Sequence, residues 1–597
     1  MRLNPDHFWT YSEWLFEKNA LRDGAILSVT LALLGFIIGY IVSVFKYGPS
    51  EGFLRVSQII GQLFTVDLPK LSFRRIYAMA KLAVKESIRK KILVLIGIFI
   101  VAMMFAGWYL DPDADSPARL YLVFVLTATN YLVILLGLFI SCFSIPADIK
   151  SRTIYTITTK PVRPLELFLG RVFGFTAIGT LVLATMGLLS YVFVVRGLDH
   201  NHELVSMDPT EKSGESSYNN RHRHTFTLNS EGRGTTNEVK GHRHIVTKVG
   251  DKVVIGSPID DLTARIPIYA KGLEFTGRDG EKNEGYNVGY MSEYQKYIEG
   301  DSLSRAVWRF EGVQPTLFRD VILYDLTISA FRTYKGDIVT PVGGLIHFRS
   351  TDGKVKSEDE PFKVKEFQVD RRSVRTKLKG FKQDATGKDI ATDLDFFQDI
   401  APNGSFEVVV RCQDRGQYLG MAAADIYLRP ADLQFWWNFV KGYISIWLQM
   451  FIVICFGVMF STFLSGPVAI IATVAALVLG FFGFFVDNLV TTTSKGGGPI
   501  ESLIRLPTQM GSQIEMELGN ETLQNAIASA DRGILLAVSQ LKNAVPNFSQ
   551  LDTSNFVAYG YNLFGGLLAR HLTIAFGYFV LTALVSYFFL KTREMAA

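Results

Sequence analysis

Residues 145–171 read IPADIKSRTIYTITTKPVRPLELFLGR, and the setting of this stretch decides the fold. It lies between two long apolar runs, 120–143 and 172–195. It carries five cations, Lys150, Arg152, Lys160, Arg163 and Arg171, against two acids, Asp148 and Glu166. Short basic loops between membrane spans stay on the cytoplasmic side. A loop this short and Pro-punctuated is too small to be a domain, but it is well sized as a handle for a cytoplasmic partner.

Working outward, apolar runs of about 20 residues, each long enough to cross a bilayer as a helix, recur at 25–45, 92–110, 444–463, 468–486 and 572–590. With the two around the loop they make seven spans: one extra at the N-terminus (1–46) and six in a core. The segment before 25 is long and acidic and lacks a small-x-small cleavage site, which is unlike a signal peptide. Residues 46–91 carry ten cations against three acids, the strongest positive-inside signal in the chain. Within them Phe53, Leu54, Val56, Ile59, Ile60, Leu63 and Phe64 recur at helical spacing, as in a helix lying in the interface. Residues 76–90 repeat the pattern. Residues 47–196 are thus read as basic interfacial helices plus three core spans, and 435–597 as the last three. An outer amphipathic helix is expected over 520–545.

Between the two membrane parts the composition changes. From 197 to 434 apolar and polar residues alternate in short strings, such as Phe406-Glu-Val-Val-Val-Arg411, between Gly, Asp and Asn turns. Such alternation marks half-buried strands, and many short strands favour a β-sandwich or jelly-roll. The span count places this inserted β-domain outside the cytoplasm. The mean hydropathy of +0.21 over 597 residues averages these two chemistries. Three cysteines, Cys142, Cys412 and Cys455, give no disulfide framework. The net charge of +5 sits beside the spans, which argues against nucleic acid as a partner.

The span cores are nearly free of charge, which argues against proton- or ion-coupled transport. No G-x-x-x-x-G-K-[ST] phosphate loop occurs, so no ATPase is expected in this chain. Asp148, Thr153, Ile154, Pro161, Val162, Arg163 and Leu167 resemble the first cytoplasmic loop of type-2 ABC exporter permeases. Arg152 stands where that family usually has Gly. Val545-Pro-Asn-Phe548 resembles the branch tied to multicopper-enzyme maturation and gliding. The resemblance covers both membrane parts and implies an inner-membrane permease subunit, a cytoplasmic ABC ATPase partner and a second permease copy. It also implies ATPase contact through Asp148, Arg152, Lys160 and Arg163. The competing reading is a membrane-anchored scaffold whose β-domain recruits a metal or an extracytoplasmic protein. A membrane enzyme ranks last, because no catalytic arrangement is found.

Six of nine histidines fall in three His-x-His pairs: His200/His202, His222/His224 and His242/His244. In a strand, residues i and i+2 share a face, so each pair can offer two imidazoles to one ion. The last two pairs flank a stretch that can fold back, giving a four-nitrogen site to which His200 and His202 could add. Zn, Cu and Fe all accept imidazole. The bland alternative is a solvated basic hairpin. The pattern resembles a short His-x-His repeat of phage tail proteins, which implies iron.

Overall fold

The computed structural model describes residues 10–89, 94–110, 116–152, 162–208, 210, 212–229, 232–237, 239–250, 252–288, 295–318, 321–333, 341–364, 370–384, 388–430, 433–483, 498–508 and 521–592. They form two compact units. One comprises Trp9–Leu262, Trp436–Ala558 and Leu563–Ala597; the other is built on Thr263–Phe435 with the segment Tyr559–Asn562.

The first unit contains the apolar helices. In chain order these and their neighbours are α1 (Ala20–Tyr47), α2 (Pro49–Gln62), α3 (Phe73–Arg89), α4 (Val94–Tyr109), α5 (Pro117–Cys142), α6 (Ser144–Lys150), α7 (Pro164–Leu198), α8 (Phe435–Ser461), α9 (Gly466–Phe481), α10 (Pro499–Thr508), α11 (Glu521–Asn543) and α12 (Gly565–Thr592). Among the described residues, five segments are long and apolar enough to cross a membrane: Ala20–Phe45, Pro117–Lys150, Pro164–Leu198, Phe435–Ser461 and Gly565–Thr592. The other two expected spans correspond to shorter apolar helices, Val94–Ala106 and Gly466–Phe481. The chain is therefore a membrane protein. The amphipathic helix expected over 520–545 is α11; Asn520 lies outside the described residues.

Small residues let the helices approach, as expected where lipid removes the hydrophobic drive between them. Gly137 of α5 meets Ile454 and Met450 of α8, and Gly457 of α8 meets Ser141 of α5. Hydrogen bonds reinforce the contact: the Asn130 amide donates to Gln449 Oε1 at 3.4 Å, and the Gln449 amide donates to Leu551 O at 3.2 Å. Helix α3 lies along the first turns of α7, where Gly170 and Gly174 face Met79, Ala80 and Ala83.

The polar middle, expected as one domain over 197–434, carries two separate β structures. Strands β1 (Leu204–Asp208), β2 (Ser213–Ser216), β3 (Thr225–Leu228), β4 (Arg233–Thr236), β5 (Arg243–Val249) and β6 (Lys252–Ile259) form an antiparallel meander in the first unit. Its buried core is small: Phe226, Leu228, Val246 and Ile255. The second unit is the large β-rich domain. Its nine-stranded sheet has Val342–Arg349, Phe406–Cys412 and Arg305–Phe310 as central neighbours, beside a four-stranded and a three-stranded sheet. Trp308, Phe310, Ile346, Phe348, Phe406 and Val408 anchor a core shared by these sheets.

Candidate metal centre

The six-stranded meander repeats one unit three times. Each repeat is a His-x-His followed by a hairpin: β1–β2, β3–β4 and β5–β6. Two of the pairs emerge from two-residue turns. Asn219 and His222 exchange backbone hydrogen bonds, both 3.0 Å, around Asn220 and Arg221 at φ +44° and +61°. Val239 and His242 do the same, at 3.1 and 3.2 Å, around Lys240 and Gly241 at φ +51° and +83°. Positive φ at both central residues is the mark of a type I′ turn, whose twist matches the strands it joins. Gly241 takes this conformation without a Cβ penalty.

The turns aim all six imidazoles at one point. Their candidate ligand atoms lie within 4.8 Å of one another, and five of the six residues are buried. Six rings make fifteen pairs. Twelve of these pairs have ring centroids 4.8–5.2 Å apart. The three pairs missing from this set, His200/His224, His202/His242 and His222/His244, share no ring. Twelve neighbours and three disjoint opposite pairs are the edges and diagonals of an octahedron.

The Nε2 separations agree. They are 3.1 Å for His222–His242 and His200–His242, and 3.3 Å for His202–His222 and His224–His242. An octahedral edge divided by √2 puts the common centre about 2.2–2.3 Å from each nitrogen, close to the metal–imidazole lengths of roughly 2.0–2.1 Å.

The other ring nitrogen of each histidine fixes the tautomer. Nδ1 faces a backbone carbonyl in five cases: Leu198 for His200 (2.8 Å), Ser217 for His202 (2.7 Å), Asn220 for His222 (3.0 Å), Asn237 for His224 (3.0 Å) and Gly256 for His244 (2.8 Å). A carbonyl only accepts, so each Nδ1 carries the proton. His242 Nδ1 instead faces the Asp261 carboxylate at 3.5 Å. Five Nε2 atoms are thus left as bare lone pairs, and they converge with the Nε2 of His242 on one point. This donor set fits a metal cation, and the carbonyl partners are the supports a metal-bound imidazole ordinarily has. Burial first, then the neighbouring rings, lowers His202, His222, His224, His242 and His244 from the ordinary imidazole range. The shift takes His224 and His244 down to about 4 and His242 to about 2. Hydroxyls repeat with the pairs too: Ser216 Oγ accepts from His224 N at 2.8 Å and Thr236 Oγ1 from His244 N at 2.9 Å.

The six-histidine cluster can therefore hold a metal ion. The four-nitrogen expectation grows to six, since His200 and His202 are full members. The signal for this in the sequence was the spacing: three pairs about twenty residues apart, each followed by a hairpin-length string. The arginines between the histidines point away. Arg223 is exposed opposite Glu215, and Arg243 pairs with Asp260.

The loop residues expected to meet an ATPase fall elsewhere in the same unit. Asp148, in α6, pairs with the fully buried Arg171, which also holds Glu86 at 2.5 Å. Arg163, at the N-cap of α7, binds Asp67 Oδ1 at 2.6 Å and Val66 O at 2.7 Å. Arg152 is exposed, at φ +58°. Lys160 lies outside the described residues. Two further groups complete the constellation. Glu166 accepts from Arg75 at 2.6 and 2.7 Å and from Ser72 N at 2.9 Å, and Asp67 Oδ2 accepts from the Tyr587 hydroxyl at 2.8 Å and Lys591 at 3.1 Å. Nothing in the sequence pointed to Asp67 or Glu86, because their partners are 85 to 524 residues distant.

Compared with protein-family models and with curated proteins, the chain matches none.

Proposed function

We propose that this chain is the membrane subunit of an ATP-driven exporter of the type-2 class, served by a separate cytoplasmic ATPase. The observation that carries this reading is the locking of α3 to α7. A basic amphipathic helix is fixed along the first turns of a span by Arg75–Glu166 and Arg171–Glu86, while Arg163–Asp67 and Arg171–Asp148 tie the segment before α3 and helix α6 to the same span. A force applied to α3 or to the adjoining loop then moves the span, because buried ion pairs do not slide as apolar contacts do. On this reading the exposed Arg152, with Lys160, meets the ATPase, while Asp148 and Arg163 transmit the push. The positive-inside bias supports placing this end in the cytoplasm and both β structures outside. Purification from the native membrane in mild detergent tests it. A stoichiometric Walker-type ATPase lost on Arg152→Glu supports the reading, and absence of any ATPase from an intact, folded chain overturns it.

A second reading, a membrane-anchored metal-bearing scaffold, is favoured by the histidine octahedron. Six imidazoles saturate a first-row ion, leaving no position for water or substrate. Structural zinc is almost always four-coordinate, and Cu(II) prefers tetragonal sites. Fe(II) suits six equivalent imidazoles, and the His-x-His resemblance points the same way; Ni(II) is the geometric competitor. The ion, when bound, supplies cross-linking rather than Lewis-acid chemistry. Elemental analysis of the untagged chain is expected to give one iron per chain. A stoichiometric zinc content would overturn the assignment.

A further inference from the structure

The outer face of the nine-stranded sheet carries arginines that its own carboxylates do not balance. On the central strands, Ala306, Trp308, Val408, Val410, Ile346 and Phe348 point into the core. The alternate residues therefore share the opposite face. The register pairs Ala306 with Val410, Arg309 with Glu407, Leu345 with Arg411 and Arg349 with Glu407. One step further along the first of these ladders sets Arg305 across from Arg411.

Three of the four arginines on this face have acids. Glu407 takes Arg309 at 3.1 Å and Arg349 at 2.7 Å, and Asp359 takes Arg411 at 2.7 Å. Asp359 also holds His347 Nδ1 at 2.8 Å, and the nearby Glu274 is taken by Lys282 at 2.7 Å. Arg305 has no carboxylate within 4 Å and no hydrogen-bond partner among the described residues, and its Nε is buried. Arg411 Nε is likewise buried and unbonded. Like charges directly opposite each other destabilise a sheet. Burial first, and then Arg349 and Arg411, lower the Arg305 guanidinium from its ordinary value. Among the described residues, four guanidiniums and Lys282 share three carboxylates, Glu407, Asp359 and Glu274, which leaves an excess of two positive charges.

We propose that Arg305 and Arg411, with Arg349 beside them, form a binding site for a phosphate-class oxyanion on the β-rich domain. A carboxylate has only two oxygens, which Glu407 spends on Arg309 and Arg349 and Asp359 on Arg411 and His347. A tetrahedral oxyanion presents three or more oxygens and can accept from two forks at once. The same chemistry could come from a lipid headgroup, a phosphodiester, or from free phosphate and soluble monoesters.

The test uses the full chain in phosphatidylcholine nanodiscs and radiolabelled inorganic phosphate at about 0.15 M ionic strength. Saturable binding of one phosphate per chain is expected. Arg305→Gln weakens it about tenfold or more, as loss of a charge-assisted bond should. Lys379→Gln, which removes an equal charge from an exposed position on another strand, leaves it within about twofold. Stronger competition by glycerophosphoglycerol than by phosphate assigns the site to a headgroup; the reverse assigns it to free phosphate. Without phosphate, Arg305→Gln should hold or raise the melting temperature, because a repulsion is removed. Three results would overturn the proposal: no saturable binding, equal weakening by Lys379→Gln, or a lower melting temperature for Arg305→Gln without phosphate, which would mean a structural partner.

Discussion

Replacing His242 by alanine is the sharpest test of the metal centre. Its Nε2 lies 3.1–3.3 Å from those of His200, His222 and His224, so its loss opens one vertex of the octahedron. The module that carries it has four buried apolar side chains. At about 1.5–3 kcal/mol each these contribute about 6–12 kcal/mol. Structural zinc sites, the nearest measured guide, contribute about 10–16 kcal/mol to folding, so the ion's share rivals the whole apolar core. One donor in six is then worth about 2 kcal/mol, a loss of roughly 30-fold in affinity. The assay is metal content per chain after dialysis against graded chelators, joined to X-ray absorption on the purified chain. The wild type should show six nitrogen neighbours and His242→Ala five, with a 30-fold weaker hold. His347→Ala, which lies outside the cluster, should change neither. Unaltered metal affinity in His242→Ala, or four nitrogen neighbours in the wild type, would refute the six-donor reasoning.

Other consequences can be measured separately. Thr236→Val removes the hydroxyl that holds His244 N at 2.9 Å, and should weaken metal binding about tenfold by loosening a supporting contact. At Gly174 an added Cβ would come within 2.6 Å of Ala80 O and Ala83 Cβ; Gly174→Leu should therefore part α3 from α7, read as new protease cleavage in α3. Arg171→Met removes the buried cation that Glu86 and Asp148 share and should cost about 3–5 kcal/mol of stability in a thermal melt. Burial alone would raise the Asp67 pKa. The Tyr587 hydroxyl, Lys591 and Arg163 outweigh that and hold the carboxyl below its ordinary 3.8. A depressed carboxyl gives stability that is present above its unfolded pKa and lost as pH falls through the folded one. The stability gap between wild type and Asp67→Asn should thus be flat at neutral pH and close below about pH 4.

What the sequence revealed depended on the range of the interaction. Spans are local, since a run of apolar residues is its own evidence, and α5, α7, α8 and α12 lie where hydropathy put them. The expected spans 92–110 and 468–486 coincide with the apolar helices Val94–Tyr109 and Gly466–Phe481, beside which residues 90–93 and 484–497 lie outside the described residues. The His-x-His pairs were legible as ligands for the same local reason. Their closure into an octahedron was not, because it rests on left-handed turns at Asn220–Arg221 and Lys240–Gly241. Of these four residues Asn220 and Gly241 favour such a conformation, and Arg221 and Lys240 do not. The division of the polar middle was equally hidden. Alternating strings mark strands, but they do not say that β1–β6 form a sheet of their own. The charge pairs were least legible: Asp67 and Tyr587 are 520 residues apart.

Helix α7 links the two constellations. Its 35 residues span about 52 Å at 1.5 Å per residue. Glu166 and Arg163 tie the first turn to Arg75 and Asp67. At the other end the carbonyl of Leu198, the last helical residue, is the partner of His200 Nδ1. The next residue but one after the helix is thus a vertex of the histidine octahedron. Between these ends, after Pro164, the helix contains no proline, the commonest cause of a sharp kink. Both ends are held by directional polar contacts, and the middle by packing such as Gly187 against Tyr443. Displacement of one end is therefore not absorbed at a proline kink. An ion that rigidifies β1–β6 fixes the far end of the same rod that α3 grips at the near end. The two features are mechanically one assembly within this unit, although the ion and the charge pairs share no residue.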